Sequence, residues 1–189
     1  RSPAEFEHGH IPGAHNISLF DNNERAKIGT AYKQIGRQKA IEIGFELVGP
    51  KLKSFITETE KIVSAVQPKT GNRKPETVLV HCWRGGMRSS AFANFLNENG
   101  YKTHTLIRGY KAYRNFVLKN FEREINIIIL GGETGSGKTE ILRNISEHGE
   151  QVIDLEALAN HKGSAFGSLG EKPQPTQEQF ENNLSYIWN

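Results

Sequence analysis

Thr77-Val78-Leu79-Val80-His81-Cys82-Trp83-Arg84-Gly85-Gly86-Met87-Arg88-Ser89-Ser90 is the stretch whose reading decides the fold. Residues 77–81 form a short, apolar, β-branched run, the pattern of a buried strand. Gly85 and Gly86 let the chain curl behind it without Cβ clashes. A helix is predicted over 89–99, with Ala91, Phe92, Phe95 and Leu96 on its apolar side and Gly100 as its stop. Strand, loop and helix in that order put the Cys82 sulfur at a helix N-terminus, where backbone N–H groups converge on an anion. Arg88 is expected to close the ring with a guanidinium fork. Arg84 adds a second positive charge, and Ser89 offers a hydroxyl. Such surroundings lower a thiol pKa and favour the nucleophilic thiolate. The alternative, an inert core cysteine, leaves both arginines unexplained. Trp83 and Met87 read as packing residues rather than pocket lining.

Outward from this loop, strands alternate with helices. Residues 1–6 read as the end of a strand turning into a short helix. Residues 9–17 (Gly-His-Ile-Pro-Gly-Ala-His-Asn-Ile) are turn-rich and lead into a short strand. A long helical segment spans 24–66 and must break or kink at Gly49-Pro50; 68–75 is a loop. On the other side, 102–107 reads as a strand and 110–120 as a helix. The alternation predicts an α/β protein with largely parallel sheets.

A second phosphate-oriented motif begins some fifty residues after Cys82: Gly132-Glu133-Thr134-Gly135-Ser136-Gly137-Lys138-Thr139 fits G-x4-G-K-[ST]. Ile125-Asn126-Ile127-Ile128-Ile129-Leu130 is the expected strand before it, and a helix over 138–146 the element after it. The glycines let backbone amides wrap phosphate oxygens, Lys138 reaches them as a point charge, and Thr139 can hold Mg²⁺. A further strand is expected over 151–155 and a last helix over 180–188. Asp154 ends that strand, where a metal-associated acid can sit; a helix-capping aspartate is the even alternative.

Composition sets bounds. The chain has 189 residues, 36% hydrophobic, and no apolar run near the roughly 18 residues of a membrane span. Cys82 is the one cysteine, so an intramolecular disulfide and a cysteine-rich metal site are both excluded, consistent with a reducing cytoplasm. No metal site is expected among the seven histidines, even at His8, His10 and His15. Residues 1–124 carry 20 Lys+Arg against 12 Asp+Glu, and residues 125–189 carry 4 against 9. The basic first part permits contact with a polyanion such as RNA; Lys102, Lys111 and Arg114 are the candidate contacts.

With these motifs in place, residues 1–121 resemble a rhodanese-like domain. The Gly9–Ala14 stretch, the strand–Cys82 loop–helix and Arg108-Gly109-Tyr110 match that family's landmarks. One departure stands out: the loop is Cys-x5-Arg where rhodanese loops commonly run Cys-x4-Arg. The wider cradle suits a tetrahedral phosphate-like group, and the loop also resembles those of cysteine-dependent phosphatases. Adding the phosphate loop and Asp154-Leu155-Glu156…Ala159-Asn160-His161-Lys162-Gly163-Ser164-Ala165-Phe166-Gly167, the chain resembles the bacterial tRNA 2-selenouridine synthase family. The resemblance implies a rhodanese-like domain (1–121), lacking its first strand, then part of a P-loop NTPase-like α/β domain (125–189). The chain is thus expected to be a fragment at both ends.

The resemblance further implies a cytoplasmic transferase that replaces the sulfur of wobble 2-thiouridine in tRNA with selenium through an S-geranyl intermediate. Its co-substrates are geranyl diphosphate and selenophosphate, with Mg²⁺ compatible and no tightly bound cofactor. The expected partners are that tRNA and a supplier of selenophosphate, with no membrane. Cys82, Arg88 and Arg84 are then catalytic, and Gly132 to Thr139 bind phosphate. Two alternatives remain open at the level of sequence: a rhodanese-fold cysteine phosphatase, and a nucleotide-dependent kinase or regulatory module.

Overall fold

Helix signals govern the residues ahead of the cysteine loop, and each helix has a local cause. In the computed structural model, which describes residues 1–66, 77–133 and 135–188, α1 is Pro3–His8. Pro3 occupies the helix start, where its missing N–H costs nothing. The Ser2 N–H donates to Glu5 Oε2 at 3.2 Å. Helix α2 (Asn22–Gln34) opens on a reciprocal capping box. There the Glu24 N–H donates to Asp21 Oδ1 and the Asp21 N–H to Glu24 Oε2, both at 2.8 Å.

The segment expected as one helix with one break has two. Gly36, at φ 125°, separates α2 from α3 (Arg37–Val48), and a 3-10 turn at Gly49–Lys51 leads into α4 (Leu52–Val66). Only the second break carries a proline. The first depends on one glycine entering a backbone region that side-chain-bearing residues avoid. The predicted loop at 68–75 lies outside the described residues.

Strand β1 (Val78–Val80) leads through the Cys82 loop into α5 (Met87–Glu98), which returns the chain to β2 (Thr103–Thr105). The two strands are parallel, with Val78 opposite Thr103 and Val80 opposite Thr105. This is the β–α–β crossover that the sequence predicts. Val80, Ala93, Leu96 and Tyr101 form the buried core, with Ile56, Val63, Val78, Phe92 and Phe95 packed on it. The helix thus covers the sheet with Phe92, Phe95 and Leu96 of the face read from its spacing, while Ala91 is exposed and Ala93 takes the buried position. The short strand expected near Ile17 makes no ladder bonds among the described residues. Side chains tie it down instead: Ser18 Oγ donates to the Arg1 carbonyl (2.7 Å) and Asn16 Nδ2 to Ser18 Oγ (2.9 Å).

The chain divides into two compact units, 1–113 and 114–189, the division falling inside α6 (Gly109–Asn120). The second unit contains α7 (Lys138–Glu147), α8 (Leu155–Ala159) and α9 (Gln177–Trp188). Its interior joins the end of α6 to α9. Arg114 meets Glu181 and Asn182, Asn120 Nδ2 donates to Ser185 Oγ (3.3 Å), and Phe121 packs edge-on against Trp188.

Neither strand expected in this unit is present among the described residues: 125–130 and 151–155 carry no ladder, and Leu155 already opens α8. A strand exists only as a pairing, and the described part of this unit offers 125–130 no neighbouring strand. Ile128 is 99% exposed and Ile129 87%.

Candidate functional site

Cys82 leaves β1 at the point where the chain turns, and the turn is fixed from beneath. Its carbonyl accepts the Tyr110 N–H (2.9 Å), and the Trp83 carbonyl accepts the Lys111 N–H (3.0 Å). Two glycines make that approach sterically possible. A Cβ on Gly109 (φ 55°) would lie 2.2 Å from the Cys82 oxygen and 2.4 Å from the Gly85 nitrogen. A Cβ on Gly85 (φ 60°) would lie 2.6 Å from both Gly109 N and Leu106 O. Two backbones therefore meet where any side chain would intervene. Tyr110, fully buried, forms an aromatic shelf below the loop. The Trp83 ring is 5.5 Å away, the His81 ring 6.4 Å, and the Arg1 guanidinium sits 4.1 Å above the Tyr110 ring. Trp83 thus packs, as expected, while Met87 is 53% exposed.

Cys82 is 6% exposed. Burial raises the Cys82 pKa, but hydrogen bonds outweigh it and the net shift is below the ordinary thiol value. The Ser89 side chain is the largest of these, followed by the N–H groups of Gly86, Ser89 and Arg84. The Cys82 thiol donates to Ser89 Oγ at 3.3 Å, and Ser89 Oγ donates to the Gly86 carbonyl at 2.9 Å. On ionisation of the sulfur, rotation of that hydroxyl turns Ser89 from acceptor to donor. The stabilisation of the thiolate comes from amides and a hydroxyl, the anion cradle of a helix start. Burial also pushes the neighbouring His81 down to about 4, so its ring is neutral at pH 7.

Arg88 lies beside this cradle but points elsewhere. Its Nη1 pairs with Glu5 Oε2 at 3.3 Å, and Glu5 Oε1 holds Arg25 Nε at 2.8 Å. These cations and the Ser2 N–H oppose the burial of Glu5 and hold its carboxyl below the usual range. One arm of the expected fork is therefore engaged by a carboxylate from α1. Arg84 is exposed, and only its backbone serves the sulfur.

A small cavity of about 40 Å³ borders Cys82, Ser89, Arg88 and Phe92. Arg88 and Phe92 also border a much larger one of about 1580 Å³, which opens along α2, α3 and α5 and reaches Arg84.

In the second unit, Gly132 (φ 156°), Gly135 (φ 83°) and Gly137 (φ 79°) bend the phosphate-type loop, and Gly137 caps α7. Lys138 Nζ reaches back across the loop to the carbonyls of Gly132 (2.8 Å) and Glu133 (2.7 Å). Ser136 Oγ donates to Glu133 O at 2.8 Å. Thr139 is exposed in the first turn of α7, and Thr134 lies outside the described residues. The α7 N-terminus and the Lys138 ammonium thus converge on one loop, as anion binding requires.

Asp154 has the capping geometry: Oδ1 accepts the Ala157 N–H at 2.9 Å at the start of α8. The segment after it folds on itself. The Gly163 N–H donates to His161 Nδ1, and the Lys162 N–H to the Gly167 carbonyl. Of the expected RNA contacts, Lys102 and Lys111 are exposed, whereas Arg114 is 13% exposed and held by Glu178, Glu181 and Asn182. That arginine is internal to its unit, which corrects the expectation. His10 stacks on Phe6 at 4.0 Å, and no group of three potential metal ligands is found among the described residues.

Sequence reasoning missed Glu5 and the positioning role of Gly109. The local signal at Glu5 is the Ser2-x-x-Glu5 capping pattern; its arginine partners lie 20 and 83 residues away and leave no mark on the sequence around it. Gly109 was visible as a landmark, but the backbone contact that requires it is tertiary.

Comparison with known proteins agrees with this two-part layout. Residues 1–116 match the model of the rhodanese-like domain, and residues 125–189 match that of the tRNA 2-selenouridine synthase AAA domain. A protein of Bdellovibrio bacteriovorus named tRNA 2-selenouridine synthase is 44% identical over 98% of this chain and 47% of its own length. One of the same name from Nitrosomonas europaea is 37% identical over 98% and 46%. The chain spans about half the length of the curated relatives it matches. A crystal structure of the N-terminal domain of a putative ATP/GTP binding protein from Clostridium difficile 630 is 39% identical. It covers 62% of this chain and 84% of its own, with a TM-score of 0.55. With an α/β crossover cradling Cys82 and a phosphate-type loop later in the sequence, the chain belongs to the rhodanese-like domain family, and its residues 125–189 match the AAA domain of tRNA 2-selenouridine synthase.

Proposed function

We propose that the parent protein of this chain replaces the sulfur of wobble 2-thiouridine in tRNA with selenium, in two transfers. In the first, the thiocarbonyl sulfur attacks C1 of geranyl diphosphate. The C1–O bond breaks, diphosphate leaves, and the uracil N3 proton passes to solvent. Alkylation converts a poor leaving group into a good one. The loop from Gly132 to Thr139 binds the diphosphate, Lys138 turning from its carbonyl partners to the anion and Thr139 providing a hydroxyl suited to Mg²⁺.

In the second transfer Cys82 attacks the phosphorus of selenophosphate. An S–P bond forms, the P–Se bond breaks, and hydroselenide is released beside the substrate. Hydroselenide attacks C2 of the uracil ring, the C2–S bond breaks, and geranylthiolate leaves and takes up a proton. Water then hydrolyses the phosphoryl group from Cys82. No oxidant or reductant is consumed. Selenium carried on Cys82 as a perselenide would require two electrons to be returned. Attack at phosphorus also accounts for the Cys-x5-Arg spacing, the width of a loop for a tetrahedral group. Arg88, released from Glu5 by the incoming anion, and Arg84 neutralise the charge. The partners are then the 2-thiouridine tRNA and the enzyme that makes selenophosphate, all in the cytoplasm.

The observation that carries this reading is the agreement of both family matches with relatives aligned over 98% of the chain. The test is nucleoside mass spectrometry on 2-thiouridine tRNA incubated with the full-length parent, geranyl diphosphate and selenophosphate. Cys82→Ala is expected to stop at the S-geranyl nucleoside. Lys138→Ala is expected to lose geranylation yet still selenate pre-geranylated tRNA. Absence of any modified uridine with the intact parent would move a cysteine phosphatase or a nucleotide-dependent activity to the front.

A further inference from the structure

The large cavity of the first unit has room for a chain that the small one over Cys82 could not hold. Its walls are aliphatic and aromatic: Phe20, Ile41, Val48 and Phe95 line it, and Tyr32 (59% exposed) and Phe45 (71%) stand open to solvent at its mouth. Small residues on α2 and α3, among them Ala26, Gly29 and Ala40, give it depth. Its charged lining is one-sided. Arg25, Lys33, Arg37, Arg84 and Arg88 join Arg1 around it, against the single carboxylate of Glu5. Among the described residues the side chains of Lys33 and Arg84 have no ion pair, and Arg37 meets only the Met87 sulfur, at 3.6 Å.

An apolar trough rimmed by cations selects a ligand that is polyanionic and also carries an apolar chain. Arg88 and Phe92 border both this trough and the pocket over Cys82, so a chain lying in the trough ends next to the sulfur. We propose that this trough is the subsite for the geranyl chain of S-geranylated tRNA, with phosphates of the anticodon loop on the cationic rim. It rests on the two-transfer reading above and adds a place for the leaving group during the second transfer.

The test measures binding of the full-length parent to two anticodon stem–loops, one with wobble S-geranyl-2-thiouridine and one with 2-thiouridine. The geranylated RNA is expected to bind about tenfold tighter, about 1.4 kcal/mol. Phe45→Asp, a change at an exposed position, should abolish that preference, the geranylated RNA then binding no tighter than the 2-thiouridine RNA. Phe45→Leu should restore it. Arg37→Glu should weaken both RNAs and flatten their salt dependence. Preference intact in Phe45→Asp, in a parent that still makes 2-selenouridine, overturns the trough and leaves the two-transfer reading standing. Failure of the parent to form either modified nucleoside overturns that reading and the trough with it. Phe45-dependent binding to phosphatidylglycerol vesicles in place of RNA also overturns the trough, as a lipid site.

Discussion

At the scale of single residues, the reactivity of Cys82 is decided by a contest between burial and hydrogen bonding. Burial alone would raise the thiol pKa; hydrogen bonds from Ser89 and three amides reverse the direction of the shift. The folded thiol pKa lies below its ordinary value, so the thiolate fraction rises with pH through a midpoint lower than that of a free cysteine. Stability linked to this group is fully present above the ordinary value and is lost as pH falls through the folded one. Ser89→Ala removes the largest lowering contribution. It is expected to move the pH midpoint of Cys82 alkylation upward and to slow alkylation at neutral pH by about 3- to 10-fold. An unchanged pH–rate profile would show that the backbone amides suffice. Glu5 belongs to the same scale: it holds Arg88 beside the loop, and no sequence pattern around Glu5 reveals that pairing.

At the scale of elements, the cysteine loop depends on a second loop. The turn at Arg108 (φ 60°) and Gly109 presses its backbone against Cys82 and Gly85, and the first N–H groups of α6 hold the loop carbonyls. Gly109→Ala puts a methyl group 2.2 Å from the Cys82 oxygen, within backbone that cannot yield as a side-chain tip would. It is expected to destabilise the chain by about 2–4 kcal/mol and to move the pH midpoint of Cys82 alkylation upward. Thermal unfolding and alkylation measured on one sample check both effects. Gly86→Ala is the control. No atom lies within 4 Å of an added Cβ there, and little loss is expected.

At the scale of the whole molecule, each unit has its own interior. The second is organised around Arg114, whose guanidinium faces Glu178, Glu181 and Asn182 at 13% exposure. Removing one side of such a cluster leaves carboxylates poorly solvated and unpaired. Arg114→Ala is expected to cost the second unit about 2–4 kcal/mol, read as earlier loss of the near-ultraviolet signal of Trp188. Arg114→Lys should recover only part, since an ammonium cannot reproduce the planar fork. Equal stability of Arg114→Ala and the parent would remove this cluster from the account of the unit.

The sequence by itself determined the crossover from β1 to β2, most of the apolar face of α5, the break at Gly49-Pro50 and the location of both glycine-bearing loops. These are local matters of periodicity, glycine placement and propensity, legible in windows of about ten residues. Only the tertiary structure decided the break at Gly36, the pairing of Arg88 with Glu5, the need for glycine at 109 and the cationic trough. It also decided that Arg114 turns inward and that Asp154 caps a helix. The cap and the Gly36 break are local geometries between alternatives the sequence leaves open; the others depend on atoms brought together from distant positions. The apolar run 125–130 illustrates the division. Its composition states a preference for a strand, but strandhood is a hydrogen-bonded relation between two segments. A single stretch of sequence supplies one of them.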